Sequence, residues 1–63
     1  MTPGQRRAYE DEYARLTEEM AKVGLEPVVS AEVLDVFTDG ELRALVKDSA
    51  LRLIRFRRIE GEL

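Results

Sequence analysis

With 63 residues, 44% of them hydrophobic, the chain has room for one domain only. Ten basic and 13 acidic residues leave a net charge of −3, which argues against a general polyanion binder. The absence of cysteine and histidine excludes disulfides, the common zinc sites and every imidazole-assisted nucleophile.

The first predicted element is a helix over about residues 5–23. Thr2 is suited to cap it, with Pro3 at the first helical position. Gly4 weakens the first turn, so the helix is expected to settle from about Gln5. Tyr9, Tyr13, Leu16, Met20 and Val23 follow at spacings of 4, 3, 4 and 3, a narrow heptad seam flanked by charge. Gly24 stands where a left-handed helix cap is needed.

The stretch LEPVV, residues 25–29, breaks the chain, because Pro27 disfavours helix at Glu26 and valines prefer extended backbone. Ser30 then opens a short helix over about 31–37, in which Val33, Leu34, Val36 and Phe37 fit one buried face. A strand is the rival reading, since Asp39-Gly40 is a hairpin-turn dipeptide. The residues that follow, ELRALVKDSALRL, alternate poorly and favour helix.

A long helix is predicted over about 39–59. Thr38 and Glu41 have the spacing of a capping box, and Asp39 puts negative charge at the positive end of the helix dipole. Gly61 is the expected stop. At ~100° per residue, Leu42, Leu45, Val46, Ser49, Ala50, Leu53, Ile54 and Phe56 span about half the circumference. Leu51 and Ile59 fall outside that arc. One neighbouring helix does not cover so wide a surface.

Two helices of similar length suggest an all-α antiparallel hairpin, the short intervening helix plugging its open end. Charge supports that pairing, since it sets Glu10, Asp11 and Glu12 beside the basic run from Arg52 to Arg58. A chain this short buries only ~60% of its unfolded surface. With disulfides and zinc excluded, self-association is the reinforcement left, and a dimer closing a four-helix core is its simplest form. Leu45, Ile54, Phe56 and Ile59 are the candidate oligomer interface.

Chemical motifs are sparse. Asp35-Val-Phe-Thr-Asp39-Gly40 resembles the start of a calcium loop, but its third position is Phe37 and its twelfth is Val46. Glu10, Glu18 and Glu19 fall off the apolar seam and read as solvated surface. The glycines form no phosphate-binding loop. No cofactor, metal or catalytic group is therefore expected, and the chain reads as a non-enzymatic interaction module (regulator, adaptor or inhibitor) working as a homo-oligomer with a protein partner. The alternative is a nucleic-acid-binding regulator. Residues 24–40 hold four acids and no base, whereas residues 41–60 hold six bases against three acids, and Arg52, Arg55, Arg57 and Arg58 are the candidate phosphate contacts. No apolar run nears the ~18 residues of a membrane span, so no membrane role is expected. The N-terminus lacks a signal-peptide core, making the cytoplasm the expected location.

Overall fold

The computed structural model describes residues 1–62 and contains two long helices, α1 (Pro3–Lys22) and α2 (Asp39–Glu62), joined by a crossover of residues 23–38 that includes a 3-10 helix, Ala31–Val36. No strand occurs among the described residues.

Local chemistry sets the ends of α1. The Thr2 hydroxyl accepts from the Gln5 backbone N–H at 3.1 Å, and the Gln5 side chain accepts from the Thr2 N–H at 2.9 Å. This reciprocal box satisfies two donors that the first turn leaves unpaired. The helix therefore begins at Pro3 rather than near Gln5. At the other end Gly24 takes φ +77°, the Leu25 N–H bonds the Met20 carbonyl at 2.8 Å and the Gly24 N–H bonds Ala21 at 3.2 Å. That is a Schellman ending, and glycine is the residue that adopts its left-handed backbone without cost. A second box, Thr38 with Glu41 at 3.0 and 3.1 Å, starts α2. Gly61 does not stop this helix but lies within its last turn.

The two long helices run parallel, not antiparallel. Arg6 near the start of α1 binds Asp39 at the start of α2 at 2.8 Å, and Glu19 near the end of α1 binds Arg57 near the end of α2 at 2.8 Å. The order of contacts is the same along both helices. The crossover is long enough to permit this: 16 residues can travel back along α1, whose 20 residues cover only ~30 Å. Tyr13 meets Val29 and Arg6 meets the Leu34 carbonyl, so the crossover descends beside α1 as its numbering rises. It lies along the helix pair instead of plugging an open end. Consequently the Glu10–Glu12 cluster sits far from the basic end of α2, and Glu19 is the acid that meets it.

Parallel packing sets two positive helix termini side by side. Asp39 lies between them, 2.8 Å from Arg6 and 3.8 Å from the Met1 amino group. Its carboxyl is held below its ordinary value, chiefly by the Arg6 hydrogen bond. Arg6 also donates to the Leu34 carbonyl at 2.8 Å and to Glu10 at 3.4 Å, so one guanidinium ties both helices to the crossover.

The core forms where the three segments meet. Tyr13 and Met20 of α1, Leu34 of the crossover, and Leu42, Val46 and Leu53 of α2 are buried. Tyr9, Leu16, Val29, Ala31, Phe37 and Leu45 pack around the Tyr13–Leu34–Leu42–Val46 cluster. The short helix expected over about 31–37 is present as a 3-10 helix, Ala31–Val36, and this changes the face it buries. At three residues per turn, Ala31, Leu34 and Phe37 share one side. These three face the core, while Val33 and Val36 stay exposed. Part of the wide apolar arc of α2 is thus covered within the chain by Leu34 and its neighbours.

Candidate interaction surface

The pairing of Arg6 with Asp39, 33 residues apart, fixes the register of α2 on α1. With Glu19 and Arg57, 38 residues apart, as the second pair, Lys22, the last residue of α1, lies level with residues 55–60, and the end of α2 extends past the end of its neighbour. Ile59 is accordingly 59% exposed and Phe56 only half-buried. Leu42, Val46, Ser49 and Leu53 form the buried stripe. The residues from Arg43 to Arg58 on the opposite side of the helix face outward.

That outward side has a distinct composition. Placed at ~100° per residue, Arg43, Ala44, Lys47, Leu51, Ile54, Arg55 and Arg58 occupy one arc of about 120°. All seven are exposed, Leu51 by 40% and Ile54 by 58%. Between Arg43 and Arg58 this arc contains four cations and no carboxylate, with Asp48 at its edge. None of the four cations takes part in an ion pair among the described residues.

The four arginines singled out from sequence separate. Arg55 and Arg58 belong to the outward arc. Arg57 turns toward α1, where Glu19 holds it, and Glu19 also accepts from Lys22 at 3.3 Å. The Glu19 carboxyl is lowered by Lys22 first and by Arg57 second. Arg52 is half-buried on the flank nearer Leu45 and Phe56. Arg43 and Lys47, two turns and more upstream, join the outward arc in place of Arg52 and Arg57. Their four-residue steps toward Leu51 and Arg55 are the sequence signal of that arc, weaker than the dense arginine run after Leu51.

The candidate oligomer residues do not form one surface either. Leu45 packs on the core cluster. Ile54 and Ile59 are both exposed, yet ~140° apart around the helix axis. Only Ile54 lies within the cationic arc.

A surface of opposite sign lies on the crossover. Glu26, Glu32 and Asp35 are exposed there, as are Val28, Val33 and Val36. Glu32 and Asp35 line a shallow recess together with Glu10 and Asp11 of α1. Among the described residues no group of three or more potential ligands is arranged to hold a metal ion, and no helix is long and apolar enough to cross a membrane. Asp39, first residue of the calcium-loop resemblance to reach α2, is engaged by Arg6 instead.

These features define a small all-α protein: two long packed helices, a 3-10 crossover, and an aliphatic-cationic helix face left uncovered. No family model, curated protein or solved structure matches the chain.

Proposed function

We propose that this chain is a non-enzymatic protein-interaction module, a regulator, adaptor or inhibitor that works as a homo-oligomer through the outward surface of α2. The observation that supports this reading is Leu51 and Ile54 standing exposed in the middle of that surface, ringed by Arg43, Lys47, Arg55 and Arg58. Aliphatic side chains gathered within a polar rim are the usual composition of a binding face. Arginine at such a rim adds paired hydrogen bonding to carboxylates. Leu51→Glu/Ile54→Glu changes only exposed positions, so the fold should survive, as read by circular dichroism. In an affinity capture from the cells of origin, the wild-type chain should retain a defined protein that this variant releases. Identical capture by both would remove the outward face from the reading.

Nucleic-acid binding is the second reading, favoured by the placement of Arg43, Lys47, Arg55 and Arg58 along one side of a single helix. It expects RNA or DNA affinity at ~50 mM salt that falls steeply as salt rises and disappears in Arg55→Glu/Arg58→Glu. Two aliphatic side chains at the centre of the arc and a net charge of −3 weigh against it.

A further inference from the structure

Exposed aliphatic side chains gather in two places, each bordered mainly by one sign of charge. Asp48 lies at the edge of the first, and Arg6, bound to Glu10 and the Leu34 carbonyl, stands beside the second. On α2, Leu51 and Ile54 stand among four cations. On the crossover, Val33 and Val36 (74% exposed) stand beside Glu32 and Asp35, with Glu10 and Asp11 across the same recess. Residues 24–38 contain no basic residue at all. We propose that the crossover surface of one copy docks onto the outward face of α2 of a second copy, valines against Leu51 and Ile54, carboxylates against Arg55 and Arg58.

This assignment rests on reading the chain as an interaction module and names the module's partner. Charge complementarity selects a second copy over other occupants. A nucleic acid or an anionic lipid surface would use the cations, leave Leu51 and Ile54 without a matching role in the first case, and leave the acidic valine surface unexplained in both. A second copy accounts for the two surfaces together. Because the surfaces differ, the contact is heterologous, and each copy offers both a donor and an acceptor face. The pairs are solvent-exposed, so association weakens as salt screens them.

The test is charge exchange, read by sedimentation equilibrium or size exclusion with light scattering across a protein dilution series at low salt. The wild type should populate species larger than the monomer and dissociate as salt is raised. Arg55→Glu/Arg58→Glu puts two acids opposite the crossover's carboxylates and cancels the positive charge of the arc, and Glu32→Lys/Asp35→Lys reverses the charge of those two crossover positions. Each variant alone should lose self-association by on the order of 10-fold or more in dissociation constant. Their equimolar mixture should associate again, and so should the chain that carries all four changes. Glu12→Lys/Glu18→Lys, placed in the same chain as Arg55→Glu/Arg58→Glu and giving the same net charge as the chain with all four changes, should not restore association. Should a reversed variant lose its helical spectrum, the neutral changes Arg55→Gln/Arg58→Gln and Glu32→Gln/Asp35→Gln test the same loss.

A monomeric wild type, an unrescued mixture, or equal rescue by Glu12→Lys/Glu18→Lys overturns the docking. A monomer that still captures a different protein through Leu51 and Ile54 refutes this pairing and the homo-oligomer part of the module reading, while leaving its protein-interaction part in place.

Discussion

Tyr13→Phe removes a single oxygen from the centre of the fold, and the structure gives its consequence. Tyr13 is 0% exposed. Its hydroxyl donates to the Val29 carbonyl at 2.5 Å and lies 3.4 Å from the Val29 N–H, which donates weakly in return. It is the hydrogen-bonded link between the middle of α1 and the descending crossover. Phenylalanine keeps the ring and its packing but strands the Val29 carbonyl. Losing one buried hydrogen bond in this way costs ~1–2 kcal/mol. A domain of this size holds only ~3–9 kcal/mol in total. At ~4–8 °C per kcal/mol, the midpoint should fall by ~4–16 °C. Thermal and urea unfolding followed by circular dichroism measure it, with Tyr9→Phe as the control. Tyr9 is half-buried and makes no side-chain hydrogen bond among the described residues, so its change should stay within ~0.5 kcal/mol. Equal midpoints for the two variants would refute the claim that Tyr13 ties the crossover to α1.

Four further outcomes are expected. Ser49 is 1% exposed and its hydroxyl has no hydrogen-bond partner among the described residues, so Ser49→Ala should raise stability by ~1 kcal/mol through lost desolvation cost and better helix propensity; a lowered midpoint would show that the hydroxyl is satisfied. Leu42→Ala and Leu53→Ala should each cost ~2–5 kcal/mol, whereas Leu16→Ala at a half-buried position should cost less, and urea midpoints that invert this order would mean the core is misplaced. Asp39, Glu19 and Glu41 have carboxyls lowered in the fold, so each contributes stability above the usual carboxylate range and loses it as the pH falls through its folded value; melting temperature should decline below about pH 4 and stay level above about pH 6. Arg6→Ala breaks the contacts to Asp39, Leu34 and Glu10 together, and should lower the midpoint more than Arg15→Ala, whose ion pair among the described residues is with Glu12 on the surface.

Much of the helical content was legible in the chain. The Tyr9 to Val23 spacing marked the side of α1 that packs inward, and the Thr38–Glu41 box marked the start of α2. The direction of packing was not legible. Helix periodicity specifies a face, not an orientation, and the deciding contacts join residues 33 and 38 positions apart. Gross charge pointed to the wrong orientation because it weighted the Glu10–Glu12 run and overlooked Arg6 and Glu19, single residues that carry the register. The crossover misled for a different reason. Val33, Leu34, Val36 and Phe37 satisfy an α-helical face, but a six-residue segment tightens to three residues per turn, and the two valines rotate outward. The outward face of α2 is hard to read from sequence because its cations are spread over four turns and its aliphatic residues fit a buried pattern equally well.

Parallel packing of α1 and α2 is the feature on which the crossover, the buried set and the uncovered face all depend. Electron–electron resonance distances in a chain that lacks native cysteine measure it directly. Spin labels on Ala8→Cys/Ala44→Cys and on Ala8→Cys/Arg58→Cys occupy exposed positions, and samples diluted with unlabelled protein report within one copy. Positions 44 and 58 are ~21 Å apart along the helix axis. The 8–44 distance should be the shorter of the two by ~10–20 Å. A shorter 8–58 distance would establish an antiparallel hairpin and contradict the arrangement described.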